Sequence, residues 1–73
     1  MRIEVLHEVA TDDGLCFQLC RWHWDAEGPS DGYRFIWRDG AGRLLPQRGQ
    51  AFIPDGAAMF ELVARALRAG WLR

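Results

Sequence analysis

The apolar residues of this 73-residue chain change their period once, near Pro54, and that change constrains the fold more than any other feature. Before it they alternate, as in half-buried strands. After it they recur every three or four residues, as along one side of a helix. Strands first and one helix last define an α+β domain.

Ile3, Val5 and Val9 share one parity over residues 2–10, with Glu4 and Glu8 on the other. Thr11-Asp12-Asp13-Gly14 reads as a turn, since Asp-Gly accepts the positive φ that tight hairpins need. A second strand, residues 15–24, puts Leu15, Phe17 and Leu19 on one face and Cys16, Gln18, Cys20, Trp22 and Trp24 on the other. Asp25 to Gly32 is polar loop. A third strand, residues 33–38, sets Tyr33, Phe35 and Trp37 against Arg34, Ile36 and Arg38. After a turn at Asp39-Gly40-Ala41-Gly42, residues 43–53 form a fourth strand. Pro46 and Gly49 interrupt it, so it belongs at an edge or pairs only from Gln50.

The helix opens at Pro54-Asp55, with Asp55 as N-cap. Met59, Val63, Ala66 and Leu67 form its apolar stripe, widened by Phe60 and Leu62, and Glu61, Arg65 and Arg68 lie opposite. Gly70 suits the residue after the helix, and Trp71 can fold back onto the last turn. The expected architecture is a four-stranded twisted antiparallel sheet followed by one C-terminal helix. Ile3, Val5, Val9, Leu15, Phe17, Leu19, Tyr33, Phe35 and Trp37, all odd-numbered, form the floor beneath the helix.

Residues 1–73 have room for one domain only. A core this small needs help from a disulfide, a metal or a second subunit. The chain opens without a basic segment followed by an apolar run, which predicts a cytoplasmic protein with reduced thiols. On a strand, Cys16 and Cys20 stand about 13 Å apart. That spacing forbids a disulfide between them and a tetrahedral metal site shared with His23. No cofactor is expected. His7 and His23 lack a neighbouring nucleophile motif, and no Gly-rich phosphate loop is present, so the chain does not read as an enzyme.

The net charge is −1, without the strongly basic balance of many nucleic-acid binders. Yet all nine basic residues are arginine. Arginine makes bidentate contacts to phosphate or carboxylate and stacks on flat rings. Arg21-Trp22-His23-Trp24, Tyr33-Arg34-Phe35-Ile36-Trp37-Arg38, Arg43 and Arg48 interleave cations with rings. Single-stranded nucleic acid is held in this way: rings stack on bases while cations follow the backbone. The plainer reading keeps Tyr33, Phe35 and Trp37 in the core and the arginines in solvent. Trp22 and Trp24, on the face without a helix, still need a partner surface.

Four stretches carry a family resemblance: Ile3 to Ala10, Leu19-Cys20-Arg21-Trp22, Gly32 to Asp39, and Leu45-Pro46-Gln47-Arg48-Gly49-Gln50-Ala51-Phe52-Ile53-Pro54. In their order before a C-terminal helix, they resemble the transcriptional positive cofactor four family and its small bacterial relatives. The resemblance implies a homodimer whose helices pair and whose sheets form a channel for single-stranded DNA. Together with the arginine–aromatic pattern it nominates Arg21, Trp22, Trp24, Arg34, Arg38, Arg43 and Arg48 for nucleic acid. The helix stripe, Met59, Val63, Ala66 and Leu67 with Trp71, is nominated for the second subunit. The rival expectation is a non-enzymatic module that offers Trp22 and Trp24 to another polypeptide.

Overall fold

A computed structural model of the chain describes residues 1–45 and 51–73. The described elements are β1 (Arg2–Ala10), β2 (Leu15–His23), β3 (Ser30–Trp37) and α1 (Gly56–Ala69). The strands form one antiparallel sheet in the order β1-β2-β3, with β2 in the centre.

The expected fourth strand is corrected to a short turn. Arg38 and Leu44 make one isolated bridge, and Leu45 N donates to Trp37 O over 2.8 Å. No ladder joins these residues or 51–55 to the sheet. Asp39 draws the turn tight, accepting from Ala41 N and Arg43 N at 2.9 Å each. The next residue, Pro46, has no N–H with which to donate another rung. Residues 46–50 of the expected strand lie outside the described residues.

The β1–β2 turn requires glycine at position 14. Its φ is 103°, and a Cβ there would stand 2.5 Å from Arg38 O. That close approach lets Arg38 N donate to Gly14 O over 2.8 Å, tying the turn to the end of β3.

A bulge divides β1 between Val5 and His7. Before it, Ile3 and Val5 lie opposite Trp22 and Cys20; beyond it, Val9 lies opposite Phe17. The inserted residue reverses which parity faces the helix. Ile3 and Val5 therefore leave the expected floor for the opposite face, and Leu6 joins Val9 against the core. The odd residues of β2 and β3 keep their expected side: Leu15, Phe17 and Leu19 pair with Trp37, Phe35 and Tyr33.

Above this floor α1 is rotated from the expected stripe. Leu62 and Ala66 are its buried residues, with Ala58 and Val63 packed beside them. The row Ala58, Leu62, Ala66 follows i, i+4 spacing and offers two small side chains to a floor of large rings. Phe60 and Leu67 consequently face outward. Asp55 caps the helix start by accepting from Ala57 N over 2.9 Å, a contact typically worth about 1 kcal/mol. At the other end Gly70, with φ 89°, donates to Ala66 O and Leu67 O. The chain then reverses and Trp71 stacks on Phe17 and His7, at centroid distances of 5.7 and 5.5 Å. The Tyr33 hydroxyl accepts from Arg73 N over 3.0 Å and so holds this return against β3. Among the described residues no helix is long and apolar enough to cross a membrane.

Candidate functional site

The sheet face away from α1 carries Ile3, Val5, Glu8, Cys16, Gln18, Cys20, Trp22, Arg34, Ile36 and, just past β3, Arg38. Among the described residues no helix covers it, yet Cys16, Gln18 and Cys20 are 0% exposed. Long side chains from both edge strands supply the cover. Gln18 Nε2 donates to Glu8 Oε1 over 2.6 Å, and Arg34 Nε donates to Gln18 Oε1 over 2.7 Å. Arg38 Nη2 donates to the same Glu8 oxygen over 2.7 Å, and its Nη1 to Gly42 O over 2.7 Å. A buried amide is costly unless both ends are bonded. Here the carboxylate takes one end and the guanidinium the other.

This network sets the protonation of the face. Burial works against the charged form of Glu8, but hydrogen bonds from Arg38 and Gln18 outweigh it and hold the carboxyl below its ordinary range. Burial pushes both thiols upward. Cys16 and Cys20 are therefore neutral apolar filler beneath the polar cover. Among the described residues no group of three or more His, Cys, Asp or Glu side chains is placed to hold a metal ion.

The tryptophans occupy the other end of the face. A Cβ at Gly32 would stand 3.3 Å from Trp22 Cζ3, so the indole rests on bare backbone there. Trp24, just beyond β2 and 43% exposed, donates from Nε1 to Ser30 Oγ over 2.8 Å. Both rings are thus braced from the start of β3. Ile3 lies opposite Trp22, and with the 37% exposed Val5 it extends the apolar patch toward β1.

Among the described residues, Arg34 is the one nominated arginine beside this patch without a carboxylate partner. Arg21 pairs with Asp31 on the helix side of the sheet, at 2.8 Å from Nε. Its hydrogen bond is the main reason the Asp31 carboxyl sits below its ordinary range. Arg38 is held by Glu8, and Arg43 pairs with Asp39 at 3.2 Å. Arg34 shares the face with Trp22 and has no carboxylate partner among the described residues. Arg48 lies outside the described residues. Of the residues nominated for a second subunit, Ala66 and Trp71 are buried in the chain's own core and Val63 packs beside it. Met59 is partly buried, and Leu67 is exposed.

The two histidines sit apart from this face. His7 stacks on Trp71, and His23 Nε2 lies 2.9 Å from Glu4 Oε1. That contact is the main reason the Glu4 carboxyl titrates below its ordinary range. A recess beside the helix start, lined by Asp13, Leu15, Trp37 and Asp55, has about 50 Å³ of free volume. It has room for a few water molecules.

Glu8, Gln18, Ser30 and Gly32 build the face but did not stand out in the sequence as functional residues. A glutamine between Cys16 and Cys20 in the apolar run Leu15 to Cys20 is the one signal that could have pointed to them. The chain matches no protein-family model, no curated protein and no solved structure.

Proposed function

We propose that the protein is a non-enzymatic interaction module that takes a polypeptide on the Trp22–Trp24 face and acts as a homodimer. The observation that carries the reading is the pairing of three of the nominated arginines with carboxylates of the chain itself. Arg21, Arg38 and Arg43 are each held by a carboxylate, so a phosphate backbone would have to displace Asp31, Glu8 and Asp39. A polypeptide asks less of the face: an apolar patch with polar surroundings. The dimer is supported by the outward side of α1. Phe60 and Leu67 are 76% and 63% exposed and stand two helical turns apart on one side. Glu61 and Arg68 flank that ridge, 3.8 Å apart. A two-fold axis across the ridge sets Phe60 of one copy on Leu67 of the other and exchanges the flanking charges. A reducing compartment such as the cytoplasm suits the free thiols of Cys16 and Cys20.

Binding of single-stranded nucleic acid is the second reading, favoured by one arrangement. Trp22 rests on Gly32 and shares its face with Arg34, which has no carboxylate partner among the described residues. Tryptophan fluorescence during titration with a labelled oligothymidine, at low and at high salt, separates the two. The polypeptide reading expects no change at either salt. A change at low salt that vanishes at high salt supports the nucleic-acid reading, because phosphate binding releases counterions.

A further inference from the structure

We infer that Arg34 is a pre-positioned anion anchor, and that the occupant of the Trp22 face is an extended acidic peptide with an apolar residue two positions from the acid. The inference rests on the polypeptide reading above and names the partner's chemistry.

Three observations carry it. The first is the orientation of Gln18, which is 0% exposed. Its Nε2 lies 2.6 Å from a carboxylate oxygen and its Oε1 lies 2.7 Å from a guanidinium nitrogen. A carboxylate only accepts and a guanidinium only donates, so the amide has one possible orientation. Arg34 is thus held through its Nε by a buried group that cannot turn.

The second is the fork that remains. A guanidinium presents a side fork, from Nε and one terminal nitrogen, and an end fork from both terminal nitrogens. Gln18 occupies Nε, which leaves the end fork for a carboxylate. No described carboxylate pairs with Arg34, and residues 46–50 include no aspartate or glutamate. Its neighbour Arg38 is closed by Glu8 and Gly42 O.

The third is spacing. Trp22 rests on Gly32, two residues along β3 from Arg34. That is roughly 6.6 Å along a strand. In a strand-like peptide, which rises about 3.3 Å per residue, two positions cover the same distance and point to the same side. A carboxylate on Arg34 then places an apolar side chain over the indole. Gln18 acts through Arg34 and is a positioning residue.

The test uses the full chain and two capped nine-residue peptides, one repeating threonine-glutamate-threonine-valine, which sets acid and apolar side chains two positions apart on one side, and the other with glutamine in place of each glutamate. Nitrogen-15 spectra follow the Arg34 guanidinium and the Trp22 indole during titration. The acidic peptide should move both signals and bind about tenfold tighter than the neutral one, a charge-assisted bidentate contact being the difference. Arg34→Gln should bring the two peptides to equal affinity. Arg34→Lys, which keeps the charge without the fork, should retain only part of the gap. Gln18→Leu should narrow the gap while circular dichroism shows a folded domain; should that variant unfold, the two Arg34 variants carry the test. Equal binding of both peptides by the parent would overturn the anchor but leave the polypeptide reading standing. Binding of oligothymidine with neither peptide bound would overturn both. No binding of either peptide at millimolar concentration would also overturn the inference.

Discussion

Gln18 Nε2 donates to Glu8 Oε1 over 2.6 Å from a side chain with no solvent exposure, and this bond joins the central strand to the β1 edge. Leucine at this position would strand Glu8 and Arg34 without their buried partner. Gln18→Leu is expected to lower stability by about 1–3 kcal/mol, the usual cost of leaving a buried polar partner unbonded. Urea unfolding followed by circular dichroism measures it. A neutral or stabilising result would show that the network does not support the fold.

The same carboxylate gives stability a defined pH dependence. The folded pKa of Glu8 is lowered from its ordinary value of 4.5, so the unfolded chain binds the proton more readily. Its contribution is complete above that value and is lost as pH falls through the lower folded value. Glu4 and Asp31 are lowered too and act in the same direction. Thermal melts between pH 7 and pH 2 should show a fall on the acid side, and Glu8→Gln should make the fall shallower. An unchanged acid limb in that variant would contradict the assignment.

Three strands were legible in the sequence where the pleat is regular, but the expected fourth, over residues 43–53, forms no ladder among the described residues. Leu15, Phe17, Leu19, Tyr33, Phe35 and Trp37 alternate without interruption and lie on the expected side. Ile3 and Val5 do not, because the bulge at Leu6 depends on pairing with β2 and has no local signature. The helix was legible in extent, through Asp55 and Gly70, but not in rotation. Periodicity weighs Met59 and Leu67 above Ala58, whereas packing on large rings favours the small side chain. The face itself was half legible. Its tryptophans were visible, but two of the carboxylates that hold the arginines come from distant positions, Glu8 against Arg38 and Asp31 against Arg21.

Glycine at 14 is fixed both by backbone and by contact. Gly14→Ala would force a side chain into positive φ and a Cβ to 2.5 Å from Arg38 O. The expected cost is more than about 1 kcal/mol. Gly28 is the control, because a Cβ there would meet nothing within 4 Å. Gly28→Ala should change stability by less than about 0.5 kcal/mol. Equal effects at the two positions would remove the special role of the turn.

Self-association through α1 has a direct measure. Light scattering at micromolar concentration should give twice the 8.4 kDa chain mass. Phe60→Arg together with Leu67→Arg should return a folded monomer, since both side chains are exposed in the single chain. A monomeric parent would remove the dimer, and a dimeric double variant would move its interface elsewhere.

The central claim is that Asp31, Glu8 and Asp39 keep Arg21, Arg38 and Arg43 from phosphate. Replacing Glu8, Asp31 and Asp39 together, by Gln, Asn and Asn, releases Arg38, Arg21 and Arg43. The decisive measurement is oligothymidine affinity against salt for the parent and for this triple variant, with folding checked by circular dichroism. The parent should show no measurable binding. The variant should bind in a salt-sensitive way, with a slope of about −0.7 for each phosphate contacted. A parent that binds with a slope as steep as the variant's would contradict the claim.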